Sequence, residues 1–302
     1  MPAPTHLLII DPQNDFCDLP DDWCPLDPAT GRRLAPALPV TGAHGDMRRL
    51  AAFVQRQGEA IDAITVTLDS HHVWDVAHPA FWRRGTASAA PGAVDTDAAQ
   101  AVSPFTEITA AQVRAGDYTP RQAQAVPRVL AYLDALEATG RYRLMVWPTH
   151  CVIGSWGQAV HAALQAALGE WEARRGRPVE VVWKGRNPWT EHYSAVQAEV
   201  PDPDDPETGL NHALLARLDG ARRLLVAGEA GSHCVRATVE HLIAHLPGGR
   251  PERLTLLADA ISPVGGFEAA QEAFYAAARQ AGCRIATLDQ ALSLAPHCAS
   301  NC

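Results

Sequence analysis

The sequence predicts an α/β protein in which helices cover both faces of a parallel sheet. The first observation is a series of short apolar runs, rich in β-branched residues, that are typical of buried strands: 5–11, 63–69, 143–148, 179–184, 222–228, 253–259 and 283–289. The second is that helix-like stretches lie between them, at 45–58, 121–140, 156–176, 210–220 and 266–282. Such alternation of buried-type strands with helices indicates parallel pairing.

A further helix follows the fifth apolar run across a glycine-rich turn. Val235, Val239 and Leu242 recur at helical spacing and form one face of it. Ser232 is the expected N-cap, so Cys234 lies in the first turn. Unpaired N–H groups and the positive end of the helix dipole are found there, and both favour a thiolate.

The domain organisation follows from the number of these elements. A single sheet accounts for all 302 residues, so we expect one domain over 1–302. Residues 83–118 form a long stretch of small residues with weak periodicity, which is too long for an ordinary connection and indicates an insertion. Residues 201–208 read as an acidic, proline-rich loop.

Composition and charge exclude several classes of partner. With 47% hydrophobic and 20% charged residues the chain has a globular composition. Its net charge of −9 argues against nucleic acid or an anionic membrane as a partner. No apolar run approaches transmembrane length, and the N-terminus lacks the basic region of a signal peptide. Seven cysteines without framework spacing suit a reducing cytoplasm.

Reactive side chains stand where the predicted strands end. Asp11 and Asp69 end the first two runs, Lys184 ends the fourth, and the third and fifth lead to His150 and Cys234. In parallel sheets, sites form beyond the carboxyl ends of the strands. One such residue would be uninformative, but five together indicate a functional site.

Three of these residues form a set suited to nucleophilic catalysis. Cys234 would be the nucleophile, and Lys184 would stabilise its anion. Asp11 would accept the thiol proton and later activate water. The alternative is structural: an ordinary ion pair between Asp11 and Lys184 beside a small buried cysteine.

A second set suits a metal ion. Asp69 and His71 can reach one ion from a single turn, and His150 would join them from the next strand end. His78 or His72 could supply a further nitrogen. Mixed nitrogen and oxygen ligands suit a divalent metal such as Zn, Mn or Fe(II).

Several motifs in order resemble those of the isochorismatase-like cysteine hydrolases, and among them the nicotinamidases. The motifs are "DPQNDFC", "TLDSHH", "WPTHCVIGSWG", "VWKG", "HYSAV", "AGEAGSHCVRATVEHL" and "LLADAISP". The resemblance implies a three-layer αβα fold with a six-stranded parallel sheet in the order 3-2-1-4-5-6. In that order strands 1 and 4 are neighbours, so Asp11 and Lys184 would face each other, with Cys234 on the turn after the next strand.

The resemblance also implies roles for individual residues. The catalytic triad would be Asp11, Lys184 and Cys234, and the metal ligands would be Asp69, His71 and His150, with His78 as an additional ligand. The peptide Glu229–Ala230 matches a cis bond, and the N–H groups of Ala230 and Cys234 would form the oxyanion hole. The residues that match the ring pocket of nicotinamidases are Phe16, Trp147, Tyr193 and His233.

Three departures from the family pattern bear on the substrate. The chain carries 71 residues between His78 and His150, where compact nicotinamidases have far fewer. "DLPDDWCPLDPATGRRLAP" replaces the usual glycine-rich stretch after "DFC", and Glu229 stands where the family prefers an apolar residue.

The resemblance implies a metal-assisted cysteine amidohydrolase that converts nicotinamide to nicotinate and ammonia through a thioester on Cys234, as in NAD salvage. It also implies a small-molecule amide substrate and a homo-oligomer. Three other readings stay open at this point: a related cysteine hydrolase acting on an open-chain amide or ureide, a hydrolase that uses a metal-bound hydroxide, and a non-catalytic protein that keeps the fold.

Overall fold

The computed structural model describes residues 4–85 and 101–292. Its strands are β1 (Thr5–Ile10), β2 (Ala63–Asp69), β3 (Trp82–Arg84), β4 (Thr106–Ile108), β5 (Tyr118–Pro120), β6 (Leu144–Val146), β7 (Glu180–Lys184), β8 (Arg223–Gly228), β9 (Leu254–Leu257) and β10 (Arg284–Ala286). Its α-helices are α1 (Ala43–Gln57), α2 (Ala110–Ala115), α3 (Val126–Thr139), α4 (Ala162–Arg175), α5 (His212–Asp219), α6 (Cys234–His245) and α7 (Glu268–Gln280).

Six parallel strands form the central sheet, in the order β10-β9-β8-β1-β2-β7. Numbered along the chain within the sheet, this order is 3-2-1-4-5-6. Every residue of β1 is buried, because this strand has a neighbour on each side and helices over both faces. The predicted three-layer α/β fold with a six-stranded parallel sheet is confirmed.

One predicted strand lies outside this sheet. The apolar run 143–148 contains β6, which pairs antiparallel with β4 instead. Because β6 is not a member, β7 is the third strand of the sheet and pairs with β2. The expectation that the strands of Asp11 and Lys184 are neighbours is therefore wrong. The neighbour of β1 on its other side is β8, which leads to Cys234. An apolar run indicates a buried strand but does not specify its partner.

This order defines the switch point of the sheet. From β1 the chain proceeds to β2 and β7 on one side, while β8, β9 and β10 lie on the other. The carboxyl ends of four adjacent strands thus meet at one edge, which is where ligands bind in sheets of this kind. Asp11, Asp69, Lys184 and Cys234 stand at those ends.

A second hydrophobic cluster packs apart from the main core. Its buried members come from residues 76–146, and they include Phe81, Trp82, Ile108, Leu133 and Val146. The segment holds α2, α3 and two small antiparallel sheets, β3 with β5 and β4 with β6. The predicted insertion at 83–118 falls inside this segment, although residues 86–100 lie outside the described ranges. The assignment of the chain to a single domain stays a prediction.

Two helices that cover one face of the sheet are joined by Trp171. This residue lies on α4 and is fully buried in the main core. Its indole Nε1 donates a hydrogen bond of 3.1 Å to the carbonyl of Gly58, which follows the end of α1.

Among the described helices, none has the length and apolar character needed to cross a membrane.

We predict that Trp171→Ala lowers the free energy of unfolding by about 3–5 kcal/mol, because it leaves a large cavity between α1 and α4. Guanidinium unfolding followed by circular dichroism measures this. Trp183→Ala is the matched control, because the Trp183 side chain is 49% exposed on the edge strand and should cost no more than about 1 kcal/mol. Equal losses for the two variants would contradict this account of the packing.

Candidate active site

The ammonium group of Lys184 joins the ends of the central strands. Its Nζ lies 2.8 Å from Asp11 Oδ2 and 3.0 Å from Asp69 Oδ1, and it donates to the carbonyl of His192 at 3.1 Å. The same Nζ lies 3.6 Å from Cys234 Sγ. Burial alone would lower the pKa of Lys184, but the carboxylates of Asp11 and Asp69 raise it well above its usual value. Lys184 is therefore a fixed positive charge shared by three reactive groups.

Asp11 is held by β2 as well as by Lys184. Its backbone has a φ of 43°, which turns the chain sharply at the end of β1. Thr67 Oγ1 donates to Asp11 Oδ1 at 2.5 Å, and the Asp11 N–H donates to Thr67 Oγ1 at 3.0 Å. Burial raises the pKa of Asp11, with Lys184 acting in the opposite direction. A buried carboxyl group with a raised pKa is suited to accept and return a proton.

Cys234 is the first residue of α6, directly after the N-cap residue His233. The expectation that Ser232 caps this helix is wrong, since the Ser232 hydroxyl contacts His233 Nδ1 instead.

Burial raises the pKa of the Cys234 thiol well above its usual range, although Lys184 opposes this. Burial therefore favours the protonated thiol, whereas a helix start favours the thiolate. Cys234 Sγ and carboxylate oxygens of Asp11 and Asp69 lie within 4.8 Å of one another, so a proton transfer to Asp11 covers a short distance.

Two imidazoles meet the Asp69 carboxylate on the other side, and a third packs against them. Asp69 Oδ2 lies 3.0 Å from His71 Nε2 and 3.5 Å from His150 Nε2. His78 Nε2 lies 3.2 Å from His150 Nδ1. His72 does not join this cluster, because its side chain is exposed and only its carbonyl takes part, 3.0 Å from His78 Nδ1. Of the two histidines left open by the sequence, the structure brings His78 to the others.

The chemistry of this cluster fits a divalent metal ion. Asp75, fully buried, contacts His71 Nδ1 at 3.0 Å and so directs Nε2 toward Asp69, as carboxylates do that orient metal-bound histidines. Within the described residues, His71 Nε2 faces Asp69 Oδ2 at 3.0 Å without hydrogen-bond geometry and has no other partner. Burial lowers the pKa of His78 to about 2, so this imidazole is neutral, as a ligand must be.

A small pocket opens above these groups and has an aromatic lining. The four residues predicted for a ring pocket line it together with Cys234: Phe16, Trp147, Tyr193 and His233. Trp147 Nε1 donates to Tyr193 Oη at 3.0 Å, and the Trp147 and His233 rings lie 5.0 Å apart in an edge-to-face arrangement. The cavity volume is about 20 Å³, enough for about one water molecule, so the lining side chains must move apart to admit a ring.

The turn before Cys234 exposes backbone donors beside the sulfur. The Glu229–Ala230 peptide bond is cis, and the carbonyl of Ala230 accepts the N–H groups of His233 and Val235. Across residues 4–85 and 101–292, neither the Ala230 amide nor the Cys234 amide donates a hydrogen bond. These two amides are therefore free to bind an oxygen atom of a ligand.

Four residues of this region were not identified from the sequence. Gln13 forms two hydrogen bonds with the end of β2. Its Nε2 donates to the Asp69 carbonyl at 2.7 Å, and the Asp69 N–H donates to Gln13 Oε1 at 2.8 Å. The others are Thr67, Asp75 and the pocket residue Glu191. Strand alternation could have indicated Thr67, which lies two residues before Asp69 on the same face. Nothing local marks the other three.

Comparison with known proteins identifies the fold. No family model and no curated sequence matches the chain. Among solved structures, the yeast nicotinamidase Pnc1p superposes with a TM-score of 0.56 at 16% identity, covering 93% of this chain and 98% of that one. The nicotinamidase/pyrazinamidase of Acinetobacter baumanii gives 0.56 at 17% identity, covering 96% and 99%. PnC1 of L. infantum, solved with nicotinate, gives 0.52 at 20% identity, covering 95% and 94%.

The chain has the nicotinamidase fold. The resemblance stated from the sequence motifs is thereby confirmed at the level of the fold. At 16–20% identity the superpositions describe architecture, and the roles of individual residues stay predictions.

On this nicotinamidase fold, a buried pair of carboxyl groups supports the turn before Cys234. Ser262 bridges the pair, since its Oγ donates to Asp46 Oδ2 at 2.6 Å and its N–H donates to Glu229 Oε2 at 3.1 Å. Arg49 also pairs with Asp46. Burial, and next the Asp46 charge, raise the pKa of Glu229 well above its usual range, which favours the protonated carboxyl group. Through Ser262 the pair joins the turn at Ala230 to helix α1.

We predict that Glu229→Gln raises the thermal midpoint by at least about 2 °C at pH 8 and leaves it unchanged near pH 4. The folded-state pKa of Glu229 lies above its unfolded value of about 4.3, so the wild-type protein loses stability as the pH rises between the two values. Glutamine mimics the protonated acid and removes that loss.

Differential scanning fluorimetry between pH 4 and pH 8 measures this effect. Glu170→Gln is the control, because Glu170 is exposed and its replacement should have no effect at either pH. A Glu229→Gln variant that is destabilised equally at both pH values would contradict the raised pKa of Glu229.

Proposed function

We propose that the protein is a cysteine amidohydrolase that cleaves a small carboxamide, with nicotinamide, hydrolysed to nicotinate and ammonia, as the leading substrate. The observation that supports this most is the position of Lys184 Nζ, within 2.8–3.6 Å of Asp11, Asp69 and Cys234. That group lies beside a small aromatic pocket that Cys234 itself lines. The fold shared with nicotinamidases agrees with this proposal.

The first half of the reaction forms a thioester. Asp11 takes the proton of the Cys234 thiol as the sulfur attacks the carboxamide carbon, and Lys184 stabilises the developing negative charges around it. The amides of Ala230 and Cys234 bind the tetrahedral oxyanion, an interaction worth about 3 kcal/mol per donor. When the C–N bond breaks, Asp11 returns the proton to the leaving nitrogen, and ammonia departs.

The second half releases the acid. Asp11, again unprotonated, takes a proton from water as the water oxygen attacks the thioester carbon. The C–S bond then breaks, and Asp11 returns the proton to the Cys234 sulfur. The products are a carboxylic acid and the resting thiol. Because burial keeps that thiol neutral, one carboxyl group can perform every proton transfer of the cycle.

The metal is part of the proposal. Asp69, His71 and His150 would hold a divalent ion, Zn, Mn or Fe, with His78 as a further ligand. When bound, such an ion supplies a positive charge that orients a ring nitrogen or a water. Asp69 contacts both Lys184 and the histidine cluster, so it fixes the position of the Lys184 ammonium group relative to the proposed metal site.

The remaining parts of the proposal concern the cellular setting. We expect a cytoplasmic enzyme of NAD salvage that assembles as a homo-oligomer. These expectations are supported by the resemblance of the sequence motifs and by the absence of framework cysteine spacing.

We predict that Cys234→Ala lowers the rate of ammonia release from nicotinamide at least a thousandfold, since no other group can form the thioester. A coupled ammonia assay measures the rate, and mass spectrometry after acid quenching detects the thioester in the wild-type protein. Cys283→Ala is the control, because Cys283 is also buried but lies away from the pocket.

Two outcomes would point to other functions. Turnover by Cys234→Ala that is lost on chelation would favour a hydrolase using a metal-bound hydroxide. A wild-type thiol that does not react with iodoacetamide, together with no turnover of any small amide or ureide, would indicate a non-catalytic protein.

We predict that His71→Ala abolishes binding of one equivalent of Zn, Mn or Fe, and that Asp75→Asn weakens binding roughly 10–100-fold, because Asp75 orients His71. Metal content after reconstitution and dialysis is measured by mass spectrometry. His72→Ala is the matched control, since that side chain is exposed. Wild-type metal content in His71→Ala would contradict this assignment.

A further inference from the structure

Glu191 is a pocket residue that the mechanism above leaves unused. It is 4% exposed and lines the same pocket as Cys234, Trp147 and Tyr193. In the part of the chain that the structure describes, its Oε2 is buried and accepts no hydrogen bond. A buried polar atom without a partner is costly, and in native proteins it calls for an explanation such as a missing ligand.

The backbone and one carboxyl oxygen of Glu191 are held by hydrogen bonds. Glu191 Oε1 accepts the N–H of His192 at 2.9 Å, and the Glu191 N–H donates to Tyr132 Oη at 3.1 Å. The Glu191 carbonyl accepts the N–H of Glu199 at 2.9 Å. Tyr132 lies on α3, so the second hydrophobic cluster helps to position the Glu191 backbone.

The surroundings of Glu191 affect its protonation, and its protonation determines which kind of hydrogen-bond partner Oε2 can take. His71 attracts this carboxyl group at longer range, while Asp69 and Asp75 repel it. Burial raises the pKa of Glu191 to about 7, so close to neutral pH a large fraction of the molecules carries the ionised form. Above about pH 7 the ionised form predominates and only accepts hydrogen bonds, so the partner that would satisfy Oε2 there is an N–H or O–H donor.

We propose that Glu191 is a specificity residue that accepts a hydrogen bond from the substrate. Small cyclic carboxamides that carry a second donor, such as an amino, hydroxyl or ring N–H group apart from the scissile amide, should then bind more tightly than nicotinamide itself. This inference rests on the proposed function and adds a substrate class to it. A donor in this position gains a charge-assisted hydrogen bond, and a ring without one leaves Oε2 unpaired.

Binding tests the inference separately from turnover. Dissociation constants of nicotinamide and of a set of ring-amino nicotinamides are measured by calorimetry in the Cys234→Ala protein, which cannot hydrolyse them. We expect at least one amino derivative to bind about tenfold more tightly than nicotinamide, and Glu191→Ala in the same background to reduce that ratio to near one.

Glu199→Gln is the matched control, because Glu199 is a buried acid of the same loop that pairs with Arg141 and does not line the pocket. It should keep the binding ratio within about threefold. A ratio that Glu191→Ala leaves unchanged, or equal binding of all these ligands, would overturn the inference.

Metal content and turnover separate the remaining possibilities. Loss of bound metal in Glu191→Ala, with binding of all ligands weakened equally, would show that Glu191 serves the ion and would overturn the inference. A wild-type protein that binds amino nicotinamides preferentially yet releases no ammonia from any of them would overturn the proposed amidase and support the recognition role.

Discussion

The buried ammonium group of Lys184 is the interaction on which the site depends. It compensates two carboxylates, Asp11 and Asp69, that stand at adjacent strand ends with almost no exposure to water. Removal of one partner from such a buried group typically costs 3–5 kcal/mol, because the remaining charges have no solvent to stabilise them. The same ammonium lies beside Cys234, so the group that stabilises these strand ends also stabilises a negative charge on sulfur.

The strand order explains why a lysine fills this position. Lys184 ends β7, and β2 separates that strand from β1. A long side chain can cross the end of β2 and reach Asp11, whereas a short side chain on the edge strand could not. The crossing also brings Nζ to Asp69, which faces the histidine cluster. One carboxylate therefore connects the proposed catalytic triad to the proposed metal centre.

Much of the site could be predicted because a simple topological rule applies. The carboxyl ends of parallel strands share one edge, so the residues that follow the strands must meet there. Asp75 and Glu191 could not be predicted in this way, since each lies in a loop and acquires its role from a contact with another segment. The effect of burial on the Cys234 thiol pKa could not be predicted either, because the helix start alone favours the thiolate.

The sequence by itself determined the alternation of strands and helices, the parallel sheet, and the chemical types of the side chains at the strand ends. These features depend on hydrophobic periodicity and on local conformational preference, which are properties of residues close together in the sequence. Only the tertiary structure decided that β6 leaves the central sheet, that His78 and not His72 meets His150, and that Glu191 keeps an unpaired oxygen at the pocket. Strand pairing, burial and hydrogen-bond satisfaction depend on contacts between residues far apart in the chain, and no local pattern records them.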